Sequence, residues 1–68
     1  MTVGSELKQT ISSLKGVQAT ANLYATQARH EKTRYAFHAA ADTLNEVLSD
    51  LEGRLSTLEF NEPQYKGS

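Results

Sequence analysis

The chain has 68 residues, 38% apolar and 22% charged, with net charge −1 and neither Cys nor Trp. This length excludes a multidomain protein and most enzyme scaffolds, and the absence of Cys excludes disulfides and thiolate metal sites. A chain this short buries only ~60% of its unfolded surface, and its hydrophobic gain about equals the cost of ordering it. Association with further copies is the stabilising device left.

Leu7, Ile11, Leu14, Gln18, Ala21, Ala25 and Ala28 recur at alternating spacings of four and three. That period is a helical stripe with one polar member. Val3, Thr10, Val17 and Tyr24 flank it at seven-residue intervals, which widens the apolar face to ~140° at 100° per residue. Ser5 is the expected N-cap, with Lys8 where a capping box would carry Glu. The first helix is predicted over 6–27.

A second ladder follows: Phe37, Ala41, Leu44, Leu48, Leu51, Leu55 and Leu58, again at four-three spacing. Ala36, Ala40 and Val47 widen it on one side. The second helix is predicted over 31–59. No Gly or Pro lies between Val17 and Glu52 to mark a break, but extending the first stripe runs into Lys32, Asp42, Glu46 and Ser49. The two ladders therefore lie on different faces of any single helix, and a break at Ala28-Arg29-His30 lets them meet as an αα-hairpin. Gly53 interrupts the second helix, either as a kink or close approach or as a tolerated Gly on the polar face, at a cost of ~1 kcal/mol relative to Ala. Pro63 ends the helix, leaving 61–68 as a short flexible tail on one 1–68 domain, with Tyr65 able to fold back.

Two ~140° faces are wider than two helices need, so a single hairpin leaves Val17, Tyr24, Ala40 and Val47 wet. Two hairpins packed face to face close a four-helix core of coiled-coil type. The expected interface comprises Leu7, Ile11, Leu14, Val17, Ala21, Tyr24, Phe37, Ala40, Leu44, Val47, Leu48, Leu51 and Leu55. A homodimer is expected, with a tetramer or filament as the alternative. Polar Gln18 and Thr10 on this face are read as fixing register, because a polar group in a bundle seam costs stability unless it is paired. Leu23, Tyr35 and Phe60 fall outside both stripes as scattered surface residues.

Charge divides along the chain. Residues 1–34 carry Lys8, Lys15, Arg29, Lys32 and Arg34 against Glu6 and Glu31, whereas 35–68 carry Arg54 and Lys66 against Asp42, Glu46, Asp50, Glu52, Glu59 and Glu62. Antiparallel halves of opposite sign attract modestly and favour one register. Arg29, His30, Lys32 and Arg34 gather at the turn as a patch for an anion or partner, with a solvated turn as the plain alternative. A pI near 6.0 argues against a nucleic-acid binder. No run approaches the ~18 apolar residues of a membrane span. The N-terminus has no secretory pattern, and Thr2 stands where myristoylation requires Gly, so a cytoplasmic location is expected.

No chemistry stands out. A bundle di-iron site needs Glu-x-x-His on facing helices, but Gln27 and Tyr35 precede His30 and His38 by three and no ladder position is acidic. No metal or other cofactor is expected. His38 and Asp42 share a helix face as an ordinary surface pair. Thr10, Ser12, Ser13, Ser49 and Ser56 have no His or acid spaced to activate them, so the chain is read as a non-enzyme.

Both ends carry further motifs: Met1-Thr2-Val3-Gly4-Ser5, Lys8-Gln9-Thr10 and Ser13-Leu14-Lys15-Gly16, then Asn61-Glu62-Pro63-Gln64-Tyr65-Lys66-Gly67. With Phe37-His38-Ala39-Ala40-Ala41 and Asp50-Leu51-Glu52-Gly53-Arg54 between them, the chain resembles the domain-of-unknown-function 1657 family of short proteins from endospore-forming bacteria. The resemblance implies a small helical protein with a structural or accessory role in sporulation, placed in the forespore, the spore core or the inner-membrane periphery. It implies no functional residues. Family members often have Asp where His30 stands and Pro where Gly53 stands; the first difference implies a weaker cap on the second helix, and the second removes the family's reason for a bend at this point. The alternative role is an adaptor that binds a spore inner-membrane protein or an anionic surface through the basic turn.

Overall fold

The computed structural model describes residues 2–61. Two helices make up the structure: α1, Val3–Gln27, and α2, Glu31–Asn61. They form the all-α helical hairpin expected from the two ladders, and the chain reverses over Ala28-Arg29-His30.

The start of α1 corrects one expectation. Thr2, not Ser5, is the N-cap: its Oγ1 accepts from the Ser5 N–H at 3.1 Å, and the Glu6 N–H donates to the Thr2 carbonyl at 3.0 Å. Thr2 satisfies an orphan amide as well as Ser5 would, and the earlier start adds nearly one turn of backbone bonds. Glu6 then sits in the first turn, where the helix dipole favours an acid. At the other end α2 continues to Asn61, two residues past the expected limit at 59, so the expected tail begins inside the helix. Pro63 and Tyr65 lie outside the described residues.

The turn is stapled from both sides. The Ala28 N–H donates to the Tyr24 carbonyl at 2.8 Å, and Ala28 then turns to extended backbone at φ −66°, ψ 134°. Arg34 returns from the first turn of α2, donating from Nη2 to the Ala28 carbonyl at 3.1 Å. A cation at a helix C-terminus meets both an orphan carbonyl and the negative end of the dipole.

Ile11, Ala21, Ala25, Ala41 and Leu48 are buried between the helices, with Ala25 at 0% and Leu48 at 3% exposure. Leu7, Leu14, Phe37, Leu44, Leu51, Leu55 and Leu58 line the same seam but are only half-buried. Near the turn the small Ala21 and Ala25 let the helices approach, and toward the termini leucines fill the gap. The molecule is a thin rod, 48 × 17 × 11 Å, with a radius of gyration of 15.1 Å. A compact domain of this length has a radius of gyration of ~11 Å.

α2 runs through Gly53 unbroken, and a Cβ built there meets nothing within 4 Å. The glycine is a tolerated one on the exposed face. Gly53→Ala is expected to stabilise the fold by about 1 kcal/mol, read as a higher melting temperature. An unchanged or lower temperature would show that another molecule packs against this position.

Candidate interaction surface

The two sides of the hairpin seam differ. One side is closed by polar contacts between the helices. Lys8 pairs with Glu59 at 3.1 Å and Lys15 with Glu52 at 3.3 Å. Farther toward the turn, Gln18 Nε2 donates to the Ala41 carbonyl and to Asn45 Oδ1, each at 3.4 Å. Lys8, Lys15, Glu52 and Glu59 recur at seven-residue intervals on their helices, so all face one flank. Each exposed ion pair is worth ~0.2–1 kcal/mol, enough to bias register but not to hold the fold.

The opposite side is open and apolar. A groove of about 750 Å³ runs between the helices there, lined chiefly by Val17, Ala21, Tyr24, Phe37, Ala40 and Leu44. The Tyr24 and Phe37 rings close its turn end, 5.3 Å apart at 59°, a tilted aromatic pair. Val17 remains 53% exposed and Tyr24 48%, and Val47 continues the same flank, also exposed. Ser13, Gly16 and Thr20 form the α1 rim, and a Cβ added to Gly16 meets nothing within 4 Å. Small side chains here leave the backbone of α1 accessible to a neighbouring helix.

The residues expected at an interface therefore fall into two groups. Ile11, Ala21 and Leu48 are buried by the hairpin itself, and Leu7, Leu14, Leu51 and Leu55 belong to the same intrachain seam. Val17, Tyr24, Phe37, Ala40, Leu44 and Val47 border the open side. Of the two polar residues expected to set register, Gln18 lies in the seam, but Thr10 does not. Its hydroxyl donates to the Glu6 carbonyl one turn back, on an exposed face. Sequence reasoning misses Asn45, Ser13, Gly16 and Thr20; their signal is adjacency to Gln18 and Val17 at helical spacing.

Replacing Gln18 removes two long, weak hydrogen bonds and buries apolar atoms in their place. Gln18→Leu is expected to raise stability by about 1 kcal/mol in urea titration. A lower urea midpoint would show instead that these two bonds hold the helices together.

Arg29, His30, Lys32 and Arg34 all lie exposed at the turn, but Arg34 is engaged with the Ala28 carbonyl. His38 and Asp42 are both exposed on α2. Among the described residues there is no group of three or more His, Cys, Asp or Glu arranged to hold a metal ion, and no helix long and apolar enough to cross a membrane.

A family model described as "Protein of unknown function (DUF1657)" matches residues 7–55. No curated protein and no solved structure matches the chain.

Proposed function

The chain belongs to the DUF1657 family, and we propose that it is a non-enzymatic helical hairpin whose working form is a homodimer closed through the open apolar side. The observation that carries this reading is that side: Val17, Tyr24 and Val47 are exposed beside a groove that the chain's own helices leave uncovered.

The interface proposed on this basis comprises Val17, Tyr24, Phe37, Ala40, Leu44 and Val47. In the dimer these complete a four-helix core, while the ion-paired flank faces water. The role that fits is structural or accessory, and the family resemblance supports placing it in sporulation, within the forespore or at the spore inner-membrane periphery. A tetramer or filament, and an adaptor that binds through the basic turn, are the alternatives to this reading.

Substituting Val17→Glu and Val47→Glu together tests the interface at two exposed sites that the hairpin does not need for its own seam. The expected result is loss of at least 100-fold in dimer affinity, seen as a halving of mass by light scattering at 10 μM. An unchanged mass would overturn the reading.

A further inference from the structure

We infer that the second copy is met chiefly by α1: the covered surface runs from the groove onto the outward face of α1, and the outward face of α2 stays in water. The inference rests on the proposed dimer and says which helix lies inside it. The observation that carries it is the unequal distribution of charge between the two helices.

α1 carries a second ladder. Gln9, Ser13, Gly16, Thr20, Leu23 and Gln27 recur at four-three spacing. Each stands two residues beyond a seam position, or ~200° around the helix, so this ladder faces away from α2. All six are exposed. From Gly16 to Ala28 the helix has no Asp, Glu, Lys, Arg or His. Between Gln9 and Gly16 its one charge is Lys15, which is paired with Glu52 on the closed flank. The uncharged stretch nevertheless presents large apolar side chains to solvent: Val17 is 53% exposed, Leu23 52% and Tyr24 48%. A helix face that stays in water is ordinarily charged or polar, with few exposed large apolar groups.

α2 has such a face. The positions two residues beyond its own ladder include Glu46 and Asp50, and Asp42 stands one turn before Glu46. All three are exposed, and Asp42 and Glu46 have no ion-pair partner among the described residues. Covering this face takes carboxylates out of water without a counter-charge, which is costly. Covering the outward face of α1 strips no charge at all.

The same argument selects what covers it. Either the ion-paired flank or the outward face of α2, brought from another copy, would set charges against an uncharged surface. The surface of the chain that meets α1 without that cost is the equivalent one on the second copy, and a two-fold axis beside α1 brings the two together as an isologous contact. Ser13, Gly16 and Thr20 belong both to this ladder and to the rim of the groove, so the contact is continuous with the proposed interface.

The chain has no Cys, so one thiol can be placed on each face in turn. Leu23→Cys reports on the outward face of α1 and Ala39→Cys on that of α2; both positions are exposed in the single hairpin. Labelling by N-ethylmaleimide is timed where light scattering gives a mass of two chains, and each rate is divided by that of the same variant unfolded in urea. Leu23→Cys is expected to label at least about 10-fold more slowly than Ala39→Cys, because a buried thiol is inert. Equal rates in a sample of two-chain mass, whether both fast or both slow, would overturn the placement of α1 inside and leave the dimer standing. Faster labelling of Leu23→Cys would do the same. A mass of one chain at every concentration would remove the proposed dimer and this inference with it. Thr20→Cys, on the same ladder, repeats the measurement if circular dichroism shows that Leu23→Cys has lost helicity.

Discussion

Leu48→Asp abolishes the helical fold, an outcome read as loss of the 222 nm circular dichroism signal at 25 °C. Leu48 is among the most buried side chains of the hairpin, at 3% exposure, and Ile11, Ala21, Ala25 and Ala41 complete its intrachain core. Removing a buried leucine costs ~2–5 kcal/mol before any charge is added. An unpaired carboxylate in the same space adds several kcal/mol more. A domain of this size has a total stability of only ~3–10 kcal/mol. Ser49→Asp, one residue away on the exposed face, introduces the same charge and should leave the spectrum unchanged. Retained helicity in the Leu48 variant would mean that the two ladders do not face each other.

Ala25→Leu is expected to cost about 1–3 kcal/mol, because it forces three extra carbons into the tightest part of the helix crossing. Ala25 is 0% exposed, and its methyl group fills the space between α1 and α2 near the turn. For a domain this short, each kcal/mol lowers the melting temperature by ~4–8 °C. A thermal scan should therefore show a fall on the order of 10 °C. Ala39→Leu, on the exposed face of α2, is the matched control and should shift the midpoint by less than about 2 °C. Equal effects at the two positions would place Ala25 outside the seam.

The ladders made the hairpin legible because periodicity is a global signal. A run of seven positions at four-three spacing survives one polar member, and the mismatch between the two runs required the break at Ala28-Arg29-His30. The flank residues were legible for the same reason: Val17, Tyr24 and Val47 lie outside the stripe on one side at seven-residue intervals, and the structure leaves them exposed. Helix ends were less legible. Thr2 and Ser5 are both good caps, and no local rule separates them once either start satisfies the first amides. At the other end the last ladder position, Leu58, gives no signal for the residues that follow it, and α2 runs on to Asn61.

The contacts that distinguish the two flanks were only partly visible. The opposite charge of the two halves indicated attraction, but the Lys8–Glu59 and Lys15–Glu52 pairs depend on the crossing geometry. Arg34 illustrates the same limit. Its charge was visible at the turn, but its engagement with the Ala28 carbonyl depends on the extended backbone at Ala28. That contact gives one member of the basic cluster a structural role within its own chain. Arg29 and Lys32 are exposed at the same turn.

In the proposed homodimer one hairpin supplies half of the core, so folding and association are linked. Dilution tests it: sedimentation equilibrium and circular dichroism are measured together from 100 μM to 0.1 μM. Linked folding predicts a mass of two chains at the top of the range, with helicity falling as the mass falls toward that of one chain. A fully helical single chain persisting across the whole range would contradict the claim.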